Sequence, residues 1–263
     1  VALDGPTMTI RKFPKEKMTM ERLIELGALD EETAGFLKLL VKARYNIFVS
    51  GGTGAGKTTF LNALSDYIPK TERIITIEDS AELQLRDVEN LVRMETRNSN
   101  VEGENAITIR DLIKASLRMR PDRVIVGEVR DSAAIDMLTA MNTGHDGSLS
   151  TGHANSPQDM LNRLETLVLM GMDIPLEAVR SQIASAIDIV VQLGRLRDRS
   201  RKVLTIAEVA GMQEGHIVLQ DIFQFQERGE AEDGTVVGNL QWTGAKLSQT
   251  TKLELAGVKV PCG

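Results

Sequence analysis

"FVSGGTGAGKTTFLNAL", residues 48–64, decides the fold. It enters on the apolar run "YNIFVS" (45–50), crosses a glycine-rich turn and leaves in a helical pattern. The spacing Gly51-x-x-x-x-Gly56-Lys57-Thr58 matches the phosphate-loop pattern G-x-x-x-x-G-K-[ST]. Glycines let the backbone turn several N–H groups into one concavity. The helix that follows aims its positive N-terminal end at the same point. Gly52, Thr53, Gly54, Ala55, Gly56, Lys57, Thr58 and Thr59 then form the cradle for a nucleotide's phosphates. Lys57 is expected to reach the β- and γ-phosphates, and the Thr58 hydroxyl to coordinate Mg²⁺. A glycine-rich turn with no ligand is the plainer alternative. A strand before it and a helix after it favour nucleotide binding, with ATP and Mg²⁺ as the expected cofactors.

Composition narrows the rest. The chain has 263 residues, 42 % hydrophobic and 26 % charged, in the range of ordinary soluble domains. Only 3 % are aromatic, so the core must be built mostly from aliphatic residues and methionine. A net charge of −6 and scarce aromatics argue against a nucleic-acid partner. One cysteine, Cys262, excludes an internal disulfide, and three histidines offer no metal-ligand spacing. No apolar run approaches the ~20 residues of a membrane span. The chain opens on Val1, and "VALDGPTMTIRKF" reads as the middle of a protein, with residues expected upstream.

Hydrolysis needs more than binding: a carboxylate to activate water and a group to hold the metal. "RIITIED" (73–79) and "RVIVGEV" (123–129) are β-branched runs ending in acids. The second puts Glu128 where such loops keep a metal-binding acid, on a strand expected beside the phosphate-loop strand. The first offers Glu78, Asp79 and, just beyond, Glu82. Strand ends meet along one edge of a parallel sheet, so both clusters can face one nucleotide. An isolated acid at a strand end is more often a solvated loop residue; two clusters in one phosphate-loop chain favour chemistry. In "SLSTGHANSP" (148–157) a polar strand delivers His153, with Asn155 or Ser156 capping a helix that starts at Pro157.

Helical spacing marks two short helices within 18–44, the second capped by Asp30. Further helices are expected at 108–119, 131–142, 156–171 and 175–187, after a polar loop at 98–105. Strands alternating with helices predict an α/β fold whose mostly parallel sheet is covered on both faces. After residue 188, "DIVVQLGRL", "KVLTIAEVAGM" and "HIVLQDIFQFQ" read as antiparallel hairpins. The polar, glycine-rich stretch 226–263 is expected to be poorly ordered or loosely docked.

"GGTGAGKTT", "TIEDSAEL", "RPDRVIVGEVRD", "AMNTGHDGSLSTGHANSP" and "NRLETLV", in this order, resemble the secretion ATPases of type II and type IV secretion and type IV pilus motors. "ETRNSNVEGENAITIRDLIKASLRMRPDRVIVGEVRD" is most similar to the tight-adherence (Flp) pilus branch, the CpaF/TadA group. The resemblance covers about residues 7–225. It implies a RecA-like phosphate-loop ATPase core working as a homo-oligomer, a ring of usually six copies with ATP between subunits. It implies Glu78 as catalytic base, supported by Asp79 and Glu82, and Glu128 holding Mg²⁺ through water. His153 resembles the family's γ-phosphate sensor, and Arg118, Arg120 and Arg130 are candidates for phosphate or inter-subunit contacts. The implied partner is an inner-membrane platform, and the implied location is the bacterial or archaeal cytoplasm at the inner face of the membrane.

The same resemblance divides the chain into 1–20, a linker or remnant of an absent N-terminal domain; 21–225, the motor; and 226–263, a polar tail. Arg11 is then the one nucleotide-facing arginine retained from the N-terminal domain. Gly152 departs from the pattern, which expects a larger apolar residue before His153, and a looser strand there is expected. The basic stretch "RLRDRSRK" (195–202) reads as a solvated turn, or as a contact for the membrane partner or acidic lipid. A nucleotide-gated scaffold with little turnover is the main competing function. A nucleic-acid translocase and a small-molecule kinase rank below it.

Overall fold

The computed structural model describes residues 3, 5–8, 10, 18–85, 87–100 and 104–258. Helices α1 (Met20–Glu25) and α2 (Glu31–Lys42) lead into β1 (Ile47–Gly51) and α3 (Lys57–Ser65). Then follow β2 (Arg73–Glu78), β3 (Asn90–Glu95), α4 (Ile109–Leu117), β4 (Arg123–Val126), α5 (Ala133–Asn142) and β5 (Leu149–Gly152). Helices α6 (Pro157–Leu169) and α7 (Leu176–Ala186) precede β6 (Ile189–Arg195), β7 (Arg201–Gln213), β8 (His216–Glu230), β9 (Val236–Trp242) and α8 (Thr251–Leu255). Caps fall where side-chain chemistry dictates. Asp30 accepts from Thr33 N at 2.8 Å, and Ser156, with Pro157 in the first turn, accepts from Asp159 N at 3.0 Å.

The described strands form one sheet in the order β3-β2-β4-β5-β1-β6-β7-β8-β9. Every pairing from β3 to β6 is parallel, and β6 through β9 pair antiparallel. The parallel strands are apolar on both sides because helices cover both faces. Ile47, Val49, Ile74, Ile125, Ile189 and Val191 join the cluster that includes residues of α1 to α3. Their neighbours Phe48, Ile75, Ile77, Val124, Val126 and Val190 join the cluster with residues of α4 to α7. This α/β sheet with an antiparallel extension is the architecture expected from the sequence.

Three local expectations change. The strand β3 was hidden in "NLVRME": it is an edge strand, mostly half-exposed, so its apolar signal is weak. Next, β5 lies between β1 and β4, so Glu128 is not on the strand beside the phosphate loop. Finally, residues 226–258 are not a loose tail. The end of β8 pairs with β9 from Phe223↔Trp242 to Glu230↔Val236, and Val236, Leu240, Leu247 and Leu253 are buried. The buried carboxylate of Glu208 accepts from Ser248 N and Gln249 N at 2.8–3.0 Å. The Tyr45 hydroxyl donates to Gln249 O at 2.6 Å, and Lys252 Nζ lies 2.6 Å from Asp188 Oδ2. These contacts weld the segment to the N-terminal end of β1.

Candidate nucleotide site

The C-terminal ends of β1, β2, β4 and β5 share one edge of the sheet because their pairings are parallel. A cleft of about 970 Å³ opens there, a volume suited to a nucleotide. Thr53 to Thr59 line it, with Glu78, Asp79, Glu82, Glu128, Arg130 and His153. Gly54 and Gly56 sit at φ +75° and +94°, and this left-handed backbone is what lets the loop curl ahead of α3. Gly52 is off the cleft wall but holds the loop's lysine: Lys57 Nζ donates to Gly52 O at 3.2 Å. Lys57 is buried, and that burial lowers its pKa, with Glu128 opposing the shift.

The interposed β5 explains the next contacts. It carries His153 between the phosphate-loop lysine and the acid after β4. His153 Nε2 lies 2.9 Å from Glu128 Oε1, and its Nδ1 lies 3.3 Å from Lys57 Nζ. One neutral tautomer satisfies both, with Nε2–H donating to the carboxylate and Nδ1 accepting from the ammonium. Desolvation first, then the Lys57 charge, hold the imidazole pKa below its usual value despite Glu128. Glu128 Oε2 accepts from Arg130 Nη2 at 2.7 Å, and Arg130 Nη1 lies 3.7 Å from Asp79 Oδ2. A continuous polar chain therefore runs Lys57–His153–Glu128–Arg130–Asp79.

Glu78 ends β2 and is 4 % exposed. One oxygen, Oε1, accepts from Glu82 N at 2.9 Å and Leu83 N at 2.8 Å. These bonds fix the carboxyl while Oε2 makes no hydrogen bond to the described residues. Burial raises its pKa against the pull of both amides, which makes it a stronger base than a surface carboxylate. Gly127 makes room for it: a Cβ there would stand 3.0 Å from Glu78 Cγ.

Other expectations sort as follows. Arg118 and Arg120 are exposed and off the cleft. Arg11 lies outside the described residues. Gly152 leaves no slack: a Cβ would stand 2.9 Å from Met160 Sδ and 3.0 Å from Phe48 Cε1, so neighbours already fill the space. The turn "RLRDRSRK" is not merely solvated. Arg199, Ser200, Arg201 and Lys202 line the cleft, and Arg201 Nε donates to Gly54 O at 2.8 Å. The reason is register: β6 runs parallel to β1 with Gly51 opposite Leu193, so the turn after β6 emerges beside the phosphate loop. For Mg²⁺, the Thr58 hydroxyl and the Glu128 carboxylate are hard oxygen donors on one cleft and fit the ion. Among the described residues there is no cluster of three metal-ligating side chains, so a bound ion would keep waters or phosphate oxygens.

Residues 1–235 match the family described as Type II/IV secretion system protein. A putative conjugal transfer protein of Mycobacterium tuberculosis is 37 % identical over 240 residues, which are 91 % of this chain and 67 % of that one. The type IV secretion system protein PtlH of Bordetella pertussis is 41 % identical over 173 residues, 64 % of this chain and 50 % of its own. The chain thus spans half to two thirds of these relatives. The crystal structure of the VirB11 ATPase from the Brucella suis type IV secretion system is similar with a TM-score of 0.61 and 31 % identity, over 77 % of this chain and 64 % of that one. The pilus retraction motor PilT, solved with ADP, shares the fold with a TM-score of 0.54 at 22 % identity, over 94 % of this chain and 59 % of that one. The core is RecA-like, and the chain belongs to the type II/IV secretion system ATPase family.

Proposed function

We propose that this chain is the motor portion of a cytoplasmic ring ATPase that powers a type IV-like pilus of the Flp/Tad kind through an inner-membrane platform. One observation carries the reading. A phosphate loop, a buried and basic Glu78, and the Lys57–His153–Glu128 chain converge on one cleft. Residues 21–225 are the proposed motor, with the described part of 226–258 packed on as its extension. The proposed location is the bacterial or archaeal cytoplasm, at the membrane's inner face, with six copies in the ring.

In the proposed reaction the loop amides and Lys57 bind the β- and γ-phosphates of ATP. Glu78 Oε2 takes a proton from a water, whose oxygen attacks the γ-phosphorus. The bond to the β,γ-bridging oxygen breaks, giving ADP and phosphate. Thr58 and Glu128 would hold Mg²⁺, which neutralises charge on the phosphate oxygens when bound. His153 sits where a γ-phosphate competes for Lys57, so filling the cleft would break the Lys57–His153 contact and release His153 and Glu128 as a pair. Arg130, on the other side of Glu128, is the proposed charge partner of the transferred group.

Phosphate release from ATP tests the reading. Lys57→Ala is expected to abolish nucleotide binding, and Glu78→Gln to keep binding but lose turnover by at least about 100-fold. A wild-type chain that binds ATP without releasing phosphate would favour the scaffold reading instead.

A further inference from the structure

The turn between β6 and β7 carries more than charge. Its tip is set by Arg199, which holds φ +67°, a conformation side chains other than glycine and asparagine seldom take. Backbone bonds close it: Leu196 N to Ser200 O and Arg199 N to Leu196 O, both 2.9 Å. Asp198 accepts from Ser200 N and Oγ at 2.9 and 2.7 Å and from Val236 N at 2.8 Å. These bonds bring its pKa down to about 2. Arg197 reaches across to Glu227 and Glu230 on β8 at 2.7 and 3.2 Å. The turn is therefore tied at its base to the end of β8 and to the start of β9, which lie in the stretch 226–263 expected from the sequence to be a tail.

What the turn presents is a pair of guanidinium groups on the cleft wall. A phosphate loop turns its N–H groups inward, so its carbonyls face outward and need donors of their own. Gly54 O is such a carbonyl, and Arg201 Nε supplies the donor at 2.8 Å. The side chain lies close along the loop: a Cβ on Gly56 would stand 3.3 Å from Arg201 Cδ. That leaves the two terminal nitrogens of Arg201 without a bond to any described residue. Arg199 lines the same cleft, and among the described residues no carboxylate pairs with either arginine. Two guanidiniums with no carboxylate partner among the described residues, beside a phosphate loop, make a surface suited to an anion.

We propose that Arg199 and Arg201 form a wall of the nucleotide site supplied by the same chain, with Arg201 bracing the phosphate loop through Gly54 and both arginines meeting the charge of a bound nucleoside triphosphate. This rests on the nucleotide-binding reading above. Arg201 is in that sense a positioning residue as well as a ligand-binding one, since bracing keeps the amide cradle formed before ligand arrives. The antiparallel β8–β9 extension is the buttress that holds the wall upright.

The test is equilibrium binding of ATP, ADP and AMP with a fluorescent nucleotide competitor, beside steady-state hydrolysis. Arg199→Ala with Arg201→Ala is expected to weaken ATP at least about tenfold, with ADP affected less and AMP least, because the lost contacts are charge-assisted. KM is expected to rise more than kcat falls, and the thermal midpoint to stay put. Arg201→Lys is expected to restore part of the ATP affinity by offering one donor to Gly54 O. Arg228→Ala, which removes one positive charge from an exposed position of β8 off the cleft, is the control for each single substitution. Equal loss for all three nucleotides, or no loss beyond the control, overturns the wall. Failure of the wild-type chain to bind ATP at all would instead overturn the nucleotide-binding reading itself.

Discussion

Replacing Glu78 by Gln separates catalysis from stability in one substitution. Glu78 is 4 % exposed, and desolvation raises its carboxyl pKa despite two backbone donors on Oε1. A raised carboxylate pKa means that the folded protein holds the proton more tightly than the unfolded chain. The stabilising effect of the protonated form is complete below the unfolded glutamate range and is lost as pH rises through the folded value. Glutamine mimics the protonated form at every pH. Its amide oxygen still accepts from Glu82 and Leu83, so the substitution removes a buried charge without orphaning a donor. The variant should therefore match the wild type near pH 4 and exceed it at pH 8, by the roughly 1 kcal/mol that single stabilising substitutions commonly give. For a chain of this length that is a rise of about 2 °C in thermal midpoint. Turnover should fall by at least about 100-fold at the same time. Calorimetry at the two pH values and phosphate release at pH 8 give the answer. A variant less stable than wild type at pH 8, a difference that ignores pH, or turnover within tenfold of wild type would refute the reasoning.

Three further predictions follow from particular residues. The Lys57 charge is one of the causes lowering the His153 pKa, so Lys57→Ala should move the imidazole titration to higher pH, read by NMR of the ring protons; an unmoved titration would break the proposed Lys57–His153 link. In the wild type the neutral imidazole's contribution to stability should be full above the usual histidine range and fade as pH falls through the lowered folded value. Leu253, on α8 of the docked C-terminal segment, is 1 % exposed and packs into the core, so Leu253→Ala should cost about 2–4 kcal/mol in denaturant unfolding, whereas a loosely attached tail would give almost no change.

Much of the site was legible because its signals are local. The phosphate loop compresses strand, glycine turn and helix into residues 48–64, and the acids of Glu78 and Glu128 sit at the ends of short β-branched runs. What sequence could not display was lateral order. Nothing in "LSTG" says that β5 inserts between β1 and β4, yet that insertion is why His153 bridges Lys57 and Glu128. The Arg201–Gly54 bond joins residues 147 positions apart, so a run of arginines and an aspartate read as an ordinary polar turn. The strands β3 and β9 were missed for one reason: each is an edge strand of the sheet, with few fully buried side chains and a correspondingly faint alternation.

The central claim is a ring motor whose copies share nucleotide sites, and the concentration dependence of its specific activity tests that claim most directly. Phosphate release from ATP with Mg²⁺ would be measured across a wide range of protein concentration, with Lys57→Ala and Glu78→Gln as blanks. The account predicts a rate per chain that climbs steeply and then levels off as rings fill, with both variants silent throughout. A rate per chain that stays flat down to the most dilute sample would contradict it and assign the activity to a self-contained monomer.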